Sequence, residues 1–311
     1  MRRLPSIFIL VSLVLCTISC NNDSRPIRIG YLNIVASLPL FVAEENDYFE
    51  GLEVEFFQMA SSNQLVDATL TGNLDFIVEC SAAPVLAVEY SSPGRLQVFS
   101  VSEITEDKPF DAIISKIGSE INTINDLEGK TIGVFPGSTA SNLLKKHLMD
   151  RGIDVSKINF LPIPPPNQLA SLESGAIDAL HPYEPTVTIA LLKGDYQKVY
   201  GSVYAKIISP NPQGVAVVSK EFNSNNPEIS LEVILAFERA FDFIENNEIE
   251  ARKILEKRLK LDKETASKTS LLFMLPSSKI KEDIFQQYAN TLSELGELDG
   301  MVEVNNLLWK K

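Results

Sequence analysis

Gly72-Asn73-Leu74-Asp75 and Gly175-Ala176-Ile177-Asp178 stand 103 positions apart, and each tetrad closes a similar stretch of chain. Ahead of the first, Val66 and Thr69 hold the places that Leu169 and Leu172 hold ahead of the second. Asn63-Gln64-Leu65 and Asn167-Gln168-Leu169 open the two stretches. Apolar residues three apart, followed by Gly, predict a short helix with a left-handed cap, because Gly takes positive φ without steric cost. The Leu-Asp or Ile-Asp that follows enters a buried strand. The chain therefore builds one helix–turn–strand unit twice, which predicts two similar lobes facing each other.

Around the first unit, apolar and β-rich runs at 27–31, 52–57 and 76–78 alternate with helical patterns at 39–45, 61–71 and 81–89. That order marks an α/β fold with a largely parallel sheet. Strands at 96–101 and 110–115 follow. Around the second unit, strands at 130–134, 158–163 and 176–180 alternate with helices from 136–139 onward and at 168–174. Pro164-Pro165-Pro166 reads as a stiff loop, and 215–218 as a return strand. Beyond residue 227 the chain turns helical. Val233, Phe237, Phe241 and Ile244 form one apolar stripe, and Ile284, Tyr288, Leu292 and Leu295 another; both belong to a core. The expected division is lobe one at 27–112 and 214–311 and lobe two at 113–213. Two crossing segments near 110–116 and 207–214 form the hinge, and the C-terminal helices complete lobe one.

The first nineteen residues read as an export leader rather than as fold. Arg2 and Arg3 precede an apolar run from Ile7 to Cys16 that is too short to cross a bilayer core of about 30 Å. Ile18-Ser19-Cys20 resembles the end of a bacterial lipobox, which makes Cys20 the expected lipidation site and residues 20–26 a polar tether. Thr17 stands where such motifs usually carry Leu. Of three cysteines, only Cys80 then remains in the folded part, so a core and not a disulfide must hold the protein together. The 45% apolar content suits that. A net charge of −13, or −15 without Arg2 and Arg3, argues against nucleic acid as a partner.

Several further residues, in order along the chain, carry a family resemblance. They are Gly30-Tyr31, Pro39-Leu40-Phe41-Val42-Ala43, Gly72 to Phe76, Asp126-Leu127-Glu128-Gly129-Lys130-Thr131-Ile132-Gly133-Val134 and Tyr183-Glu184-Pro185. Over roughly residues 27–220 the chain resembles the extracytoplasmic solute-binding proteins of ABC importers, in the sulfonate/taurine, nitrate and thiamine-pyrimidine group. The resemblance implies the two-lobed periplasmic-binding-protein type II fold, with a small organic solute enclosed between lobes and handed to a permease in the cytoplasmic membrane. It implies a monomer, anchored outside the cytoplasm, that needs no cofactor or metal.

In such lobes the carboxyl ends of parallel strands face the cleft, so the loops after them form the site. That rule selects Asn33, Ser37 and Leu38; Ser61 and Asn63; Glu79, Cys80 and Ser81; Ser138, Thr139 and Ala140; and Tyr183 with Glu184. Ser61 or Ser62, Ser81, and Ser138 or Thr139 begin helices, where hydroxyls and free N–H groups favour an acceptor, although each also serves as an ordinary cap. Tyr183 offers a flat face, and Leu38 and Pro165 apolar walls. Lys and Arg are absent from these loops, whereas Glu79 and Glu184 are present. The expected ligand is therefore neutral or amine-bearing, such as a pyrimidine-like nitrogen heterocycle, rather than a sulfonate or nitrate.

One branch of the resembling family synthesises the thiamine pyrimidine with histidine and a cysteine-rich iron-binding stretch. Here Cys80 has no neighbouring cysteine, and His147 and His181 are the only histidines. A Cys80–His181 pair is the one conceivable nucleophile arrangement. A binding protein is the stronger expectation, and a ligand-sensing lipoprotein that signals to a membrane receptor shares its fold and site.

Overall fold

The structure, a computed structural model, describes residues 25–311, apart from the side chain of Ser138. The expected leader and Cys20 lie outside the described residues.

Lobe one opens with β1 (Ile27–Leu32), α1 (Leu38–Glu45), β2 (Val54–Met59), α2 (Ser62–Leu70), β3 (Phe76–Ser81), α3 (Ala82–Ser91) and β4 (Leu96–Ile104). The chain then crosses into β5 (Ile113–Lys116), β6 (Thr131–Val134), α4 (Ser138–Met149), β7 (Asn159–Pro162), α5 (Pro165–Ser174), β8 (Ala179–His181), α6 (Thr186–Lys193), β9 (Tyr196–Tyr200) and α7 (Val203–Ile207). It returns through β10 (Asn211–Ser219) to α8 (Lys220–Asn225), α9 (Pro227–Asn246), α10 (Glu248–Leu259), α11 (Lys263–Lys268), β11 (Met274–Pro276) and α12 (Glu282–Glu294). The first sheet has the order β11-β4-β10-β3-β1-β2 and the second β7-β6-β8-β5-β9.

The result is a two-lobed α/β fold, as the repeated unit predicts. Only part of each sheet is parallel: β2, β1 and β3 in the first, β7, β6 and β8 in the second. The strands that carry the chain across, β5 and β10, pair antiparallel with their neighbours because they enter from the opposite lobe. The crossings are residues 105–112 and 201–210, earlier than the sequence pattern places them, and Asn211 already pairs with Ile104 in the first sheet.

Two local readings change. Pro165 and Pro166 are not loop but the first turn of α5, where a missing N–H costs nothing. The last helical stripe centres on Phe285, Tyr288, Ala289 and Leu292, while Ile284 and Leu295 sit half-buried at its edge. The C-terminal helices do pack on the first core, through Val233, Phe237, Phe241 and Ile244. Leu259 and Leu261 also reach over the cleft.

The repeated unit has the same interior in both lobes. The Asp75 N–H donates to the Arg28 carbonyl at 2.8 Å while its carboxylate accepts the Arg28 N–H at 2.9 Å. Asp178 does the same with Thr131, at 2.9 and 2.7 Å. Each Asp therefore clamps its strand to the start of β1 or β6. Asp75 is clamped further by Arg25 and Arg28, and hydrogen bonds from those guanidinium groups hold its carboxyl below the usual range despite burial. Two positions along those strands lie Gly30 and Gly133. A Cβ on Gly30 would stand 2.4 Å from Leu74 Cδ1 and 2.6 Å from Leu65 Cδ2; on Gly133, 2.6 Å from Ile177 Cδ1. Leu65, Leu74 and Ile177 are buried and have no room to retreat. Gly30→Ala and Gly133→Ala are each expected to cost about 1–3 kcal/mol by overpacking. Denaturant unfolding should show a lower midpoint with an unchanged slope; no shift in either variant would contradict this packing account.

Candidate functional site

A cavity of about 50 Å³ lies between the lobes. Lobe one contributes Leu32 at the end of β1 and Ile34 beyond it, Ser62 and Asn63 at the start of α2, Glu79 and Ser81 on β3, Ser102 on β4, and Gln213 and Gly214 on β10. The opposite wall is Phe135, Pro136 and Gly137 after β6, Thr139 and Ala140 in α4, and Tyr183 after β8, with Phe110 from the first crossing. The lobes approach closely here: a Cβ on Gly137 would come 3.4 Å from Asn63 Oδ1.

Alternation along β3 sorts its residues. Glu79 and Ser81 point into the cavity, and Cys80 points into the core between them. Burial, with Glu79 alongside, pushes the Cys80 thiol well above its usual range, so it is poorly suited to act as a nucleophile. Burial pushes the Glu79 carboxyl up to about 7. Among the described residues, Ser102 Oγ donates to it at 3.3 Å. Gly214 makes space for this carboxylate, since a Cβ there would fall 1.9 Å from Glu79 Oε1. Ser81 gives its N–H to Ser62 Oγ at 2.9 Å, but its own buried hydroxyl has no partner among the described residues. The buried Gln213 Oε1 has none either.

Aromatic rings close the other side. Tyr183 stacks on Phe135 with centroids 4.7 Å apart and tilts against Phe110 at 5.4 Å. Its hydroxyl meets that of Tyr204 at 2.6 Å. A second pocket of about 380 Å³ adjoins this wall and shares Leu32, Ile34, Phe135 and Tyr183 with the first. It is lined by Asn33, Met59, Ala60, the 164–166 prolines, Glu184, Ile189, Leu259 and Leu261.

Of the residues selected from sequence, Asn63, Glu79, Ser81, Thr139, Ala140 and Tyr183 meet at the inner cavity. Asn33, Pro165 and Glu184 border the outer pocket. Ser37 and Leu38 do not line either: Ser37 Oγ donates to the Leu32 carbonyl at 2.6 Å, and Leu38 is core. Ser61 caps α2, accepting the Gln64 N–H, and its neighbour Ser62 lines the cavity instead. Glu184 is buried and accepts the Thr188 N–H and hydroxyl at 3.2 and 3.0 Å, and burial raises its carboxyl to about 7. Sequence reasoning passed over Phe110, Phe135, Ser102, Gln213 and Gly214. The usable signal lay in the crossings, because a strand that bridges two lobes must begin or end at the cleft between them.

Behind the aromatic wall, Asp111 ties the two crossings together. Its carboxylate accepts Ser202 Oγ at 2.5 Å and the Val203 N–H at 2.7 Å, and His181 Nε2 lies 2.8 Å away. His181 is thus committed to Asp111, which removes the conceivable Cys80–His181 pair. Among the described residues no group of three His, Cys, Asp or Glu side chains could hold a metal ion, and no helix is long and apolar enough to cross a membrane.

Two facing α/β lobes joined by two crossings, with a cavity between them, define a protein of the periplasmic-binding-protein fold. A profile of the NMT1/THI5-like family matches residues 35–251, and the chain belongs to that family. The alkanesulfonate-binding protein SsuA from Xanthomonas axonopodis pv. citri, solved bound to MOPS, superposes with a TM-score of 0.74 at 20% identity, over 92% of this chain and 98% of that one. In sequence, the chain is 23% identical over 189 residues to the "Putative aliphatic sulfonates-binding protein" of Escherichia coli (strain K12), over 60% of this chain. It is also 26% identical over 238 residues to the nitrate import ATP-binding protein NrtC of Synechocystis sp., over 70% of this chain. The alignments span 57% and 35% of those two relatives' lengths.

Proposed function

We propose that this chain is the solute-binding component of an ABC importer, working outside the cytoplasmic membrane and held there through a lipidated Cys20. Its solute is a small organic molecule that is neutral or amine-bearing, such as a nitrogen heterocycle, rather than a sulfonate or nitrate. The observation that carries this reading is the lining of the interlobe cavity. It offers a carboxylate, unpartnered oxygens and aromatic faces, and no Lys or Arg. The lining also holds donors, the Asn63 amide and the first-turn N–H groups of α4, so what disfavours a buried sulfonate is the Glu79 carboxylate and the absence of a cation beside them, while an amine finds the acceptors it needs.

The fold supplies the mechanism. The lobes hinge about residues 105–112 and 201–210, and a solute touching Glu79 and Ser81 on one side and Phe135 and Tyr183 on the other favours the closed form. An anchor near the permease raises the local concentration of loaded protein. The reading is of a binder and not a catalyst, because Cys80 faces the core and His181 is bound to Asp111.

Titration calorimetry with pyrimidines and organic amines beside alkanesulfonates without an amino group and nitrate tests the proposal. Binding is expected in the first group, and tight binding confined to the second would sink it. Cys20→Ser is expected to move the protein from the membrane fraction to the soluble one.

A further inference from the structure

We infer that the inner cavity is a receptor for a primary ammonium group, and that the remainder of the same solute lies in the outer pocket beyond the Phe135–Tyr183 wall. The inference rests on the reading of the chain as a solute-binding protein and names the class of solute.

The acceptors of the inner cavity cluster on its lobe-one side, opposite the N–H groups that begin α4. Among the described residues, Glu79 presents a carboxylate with a single long hydrogen bond, and Ser81 Oγ and Gln213 Oε1 are buried with no partner. Three acceptor groups in one small space call for a ligand group with several donors. An ammonium has three N–H donors and no acceptor, so it satisfies all three oxygens and leaves none of its own polarity exposed. A bare heterocycle would turn ring acceptors on the Gln213 carbonyl or the Glu79 carboxylate, so a nitrogen heterocycle fits here through an exocyclic ammonium group. A sulfonate would meet three oxygens with its own.

The surroundings suit a cation. The Tyr183, Phe135 and Phe110 rings pack on one another along one side of the cavity, and aromatic faces attract a desolvated cation. Gly214 keeps the space before Glu79 open, where any side chain would push the carboxylate aside. Size then divides the solute. About 50 Å³ accepts a head group, and the adjoining 380 Å³ accepts a larger body. That outer space is walled mainly by Met59, Pro164, Pro165, Ile189, Leu259 and Leu261, with Asn33 and Glu184 among its polar edges, so the body is largely apolar. An amphipathic primary amine matches both chambers.

Calorimetry on the full chain with 2-phenylethylamine, N-acetyl-2-phenylethylamine and 2-phenylethanol isolates the head group, because the three share one apolar body. The amine is expected to bind at least about tenfold more tightly than either neutral partner, the span of one charge-assisted hydrogen bond. Glu79→Gln is expected to erase that preference and leave the alcohol unchanged. Gln213→Leu, which removes an unpartnered acceptor without touching Glu79, should weaken the amine about tenfold as a second readout should Glu79→Gln fold poorly. Equal binding of amine and alcohol, or an amine preference that survives both substitutions, overturns the inference. Mass spectrometry of solute carried through native purification separates the two levels of the argument. A bound compound with no primary amine refutes the ammonium receptor while the solute-binding reading stands. No bound compound, together with no binding of any probe, refutes both.

Discussion

Asp111→Ala is expected to destabilise the protein by about 3–5 kcal/mol, the cost of removing one side of a buried polar network. Three groups depend on this carboxylate: the Ser202 hydroxyl, the Val203 N–H and His181 Nε2. All lie in the interior, where water cannot replace the lost acceptor, and each orphaned donor costs about 1–3 kcal/mol. The location makes the loss more than local. Asp111 belongs to the first crossing and Ser202 and Val203 to the second, while His181 ends the central strand of lobe two. Removing the carboxylate frees the two crossings from each other at the point about which the lobes must hinge. Ser202→Ala removes one donor and keeps the rest, so it should cost only about 1 kcal/mol. In the Asp111→Ala/Ser202→Ala pair the two losses should not add, because the second substitution deletes a donor the first has already orphaned. Thermal melts of the four proteins decide it. An Asp111→Ala variant within about 1 kcal/mol of the parent would show that water satisfies this network and that the crossings are held by packing instead.

The same residues show what the sequence could and could not disclose. The two-lobed fold was legible because its signal is local: a helix of three-residue spacing, a Gly at positive φ, then an apolar residue and Asp. Gly72 and Gly175 both take that conformation, and Leu74 and Ile177 both press on a strand Gly. The cleft loops were legible too, because the rule that selects them depends only on strand direction. What the sequence hid depends on three-dimensional pairing. Ser102 and Gln213 come together across an antiparallel contact between β4 and β10, and 111 positions of chain separate them. Ser37 looked like a cleft hydroxyl because it follows β1, but the chain turns back and its Oγ satisfies the Leu32 carbonyl. Glu184 reads as a carboxylate at the cleft, yet much of its capacity is spent on Thr188, because α6 begins there and its first turn needs an acceptor. Asp111 carries no motif. Its importance arises only when two crossings, far apart in sequence, run side by side.

Two carboxyls held at about 7 predict a second large effect, in the pH dependence of stability. Glu79 and Glu184 are each raised from 4.5 to about 7, chiefly by burial. Below pH 4.5 both are protonated whether the chain is folded or not, and their contribution is at its most favourable. Between 4.5 and 7 the unfolded chain releases these protons while the folded chain retains them. Stability therefore falls as pH rises through that window, by roughly 3 kcal/mol for each group, and is flat above it. His147 opposes this. Burial lowers it from 6.5 to about 4, so it costs stability as pH falls through 6.5 toward 4. The clean measurement is thus a difference. Denaturant unfolding of the parent and of Glu79→Gln/Glu184→Gln, at pH 4.5 and at pH 8, should show the variant gaining several kcal/mol on the parent at the higher pH. A gap that does not change with pH would place these carboxyls in contact with water. The two glutamates should then part company when a cationic solute is added. An ammonium bound at Glu79 favours its ionised form, so saturating amine removes that residue's share of the slope. Glu184 lies on Thr188 and borders the outer pocket, so its share persists. By the same linkage the amine should bind about tenfold more weakly at pH 6 than at pH 8, because a carboxyl titrating near 7 is mostly protonated at the lower value and must give up that proton to receive the cation.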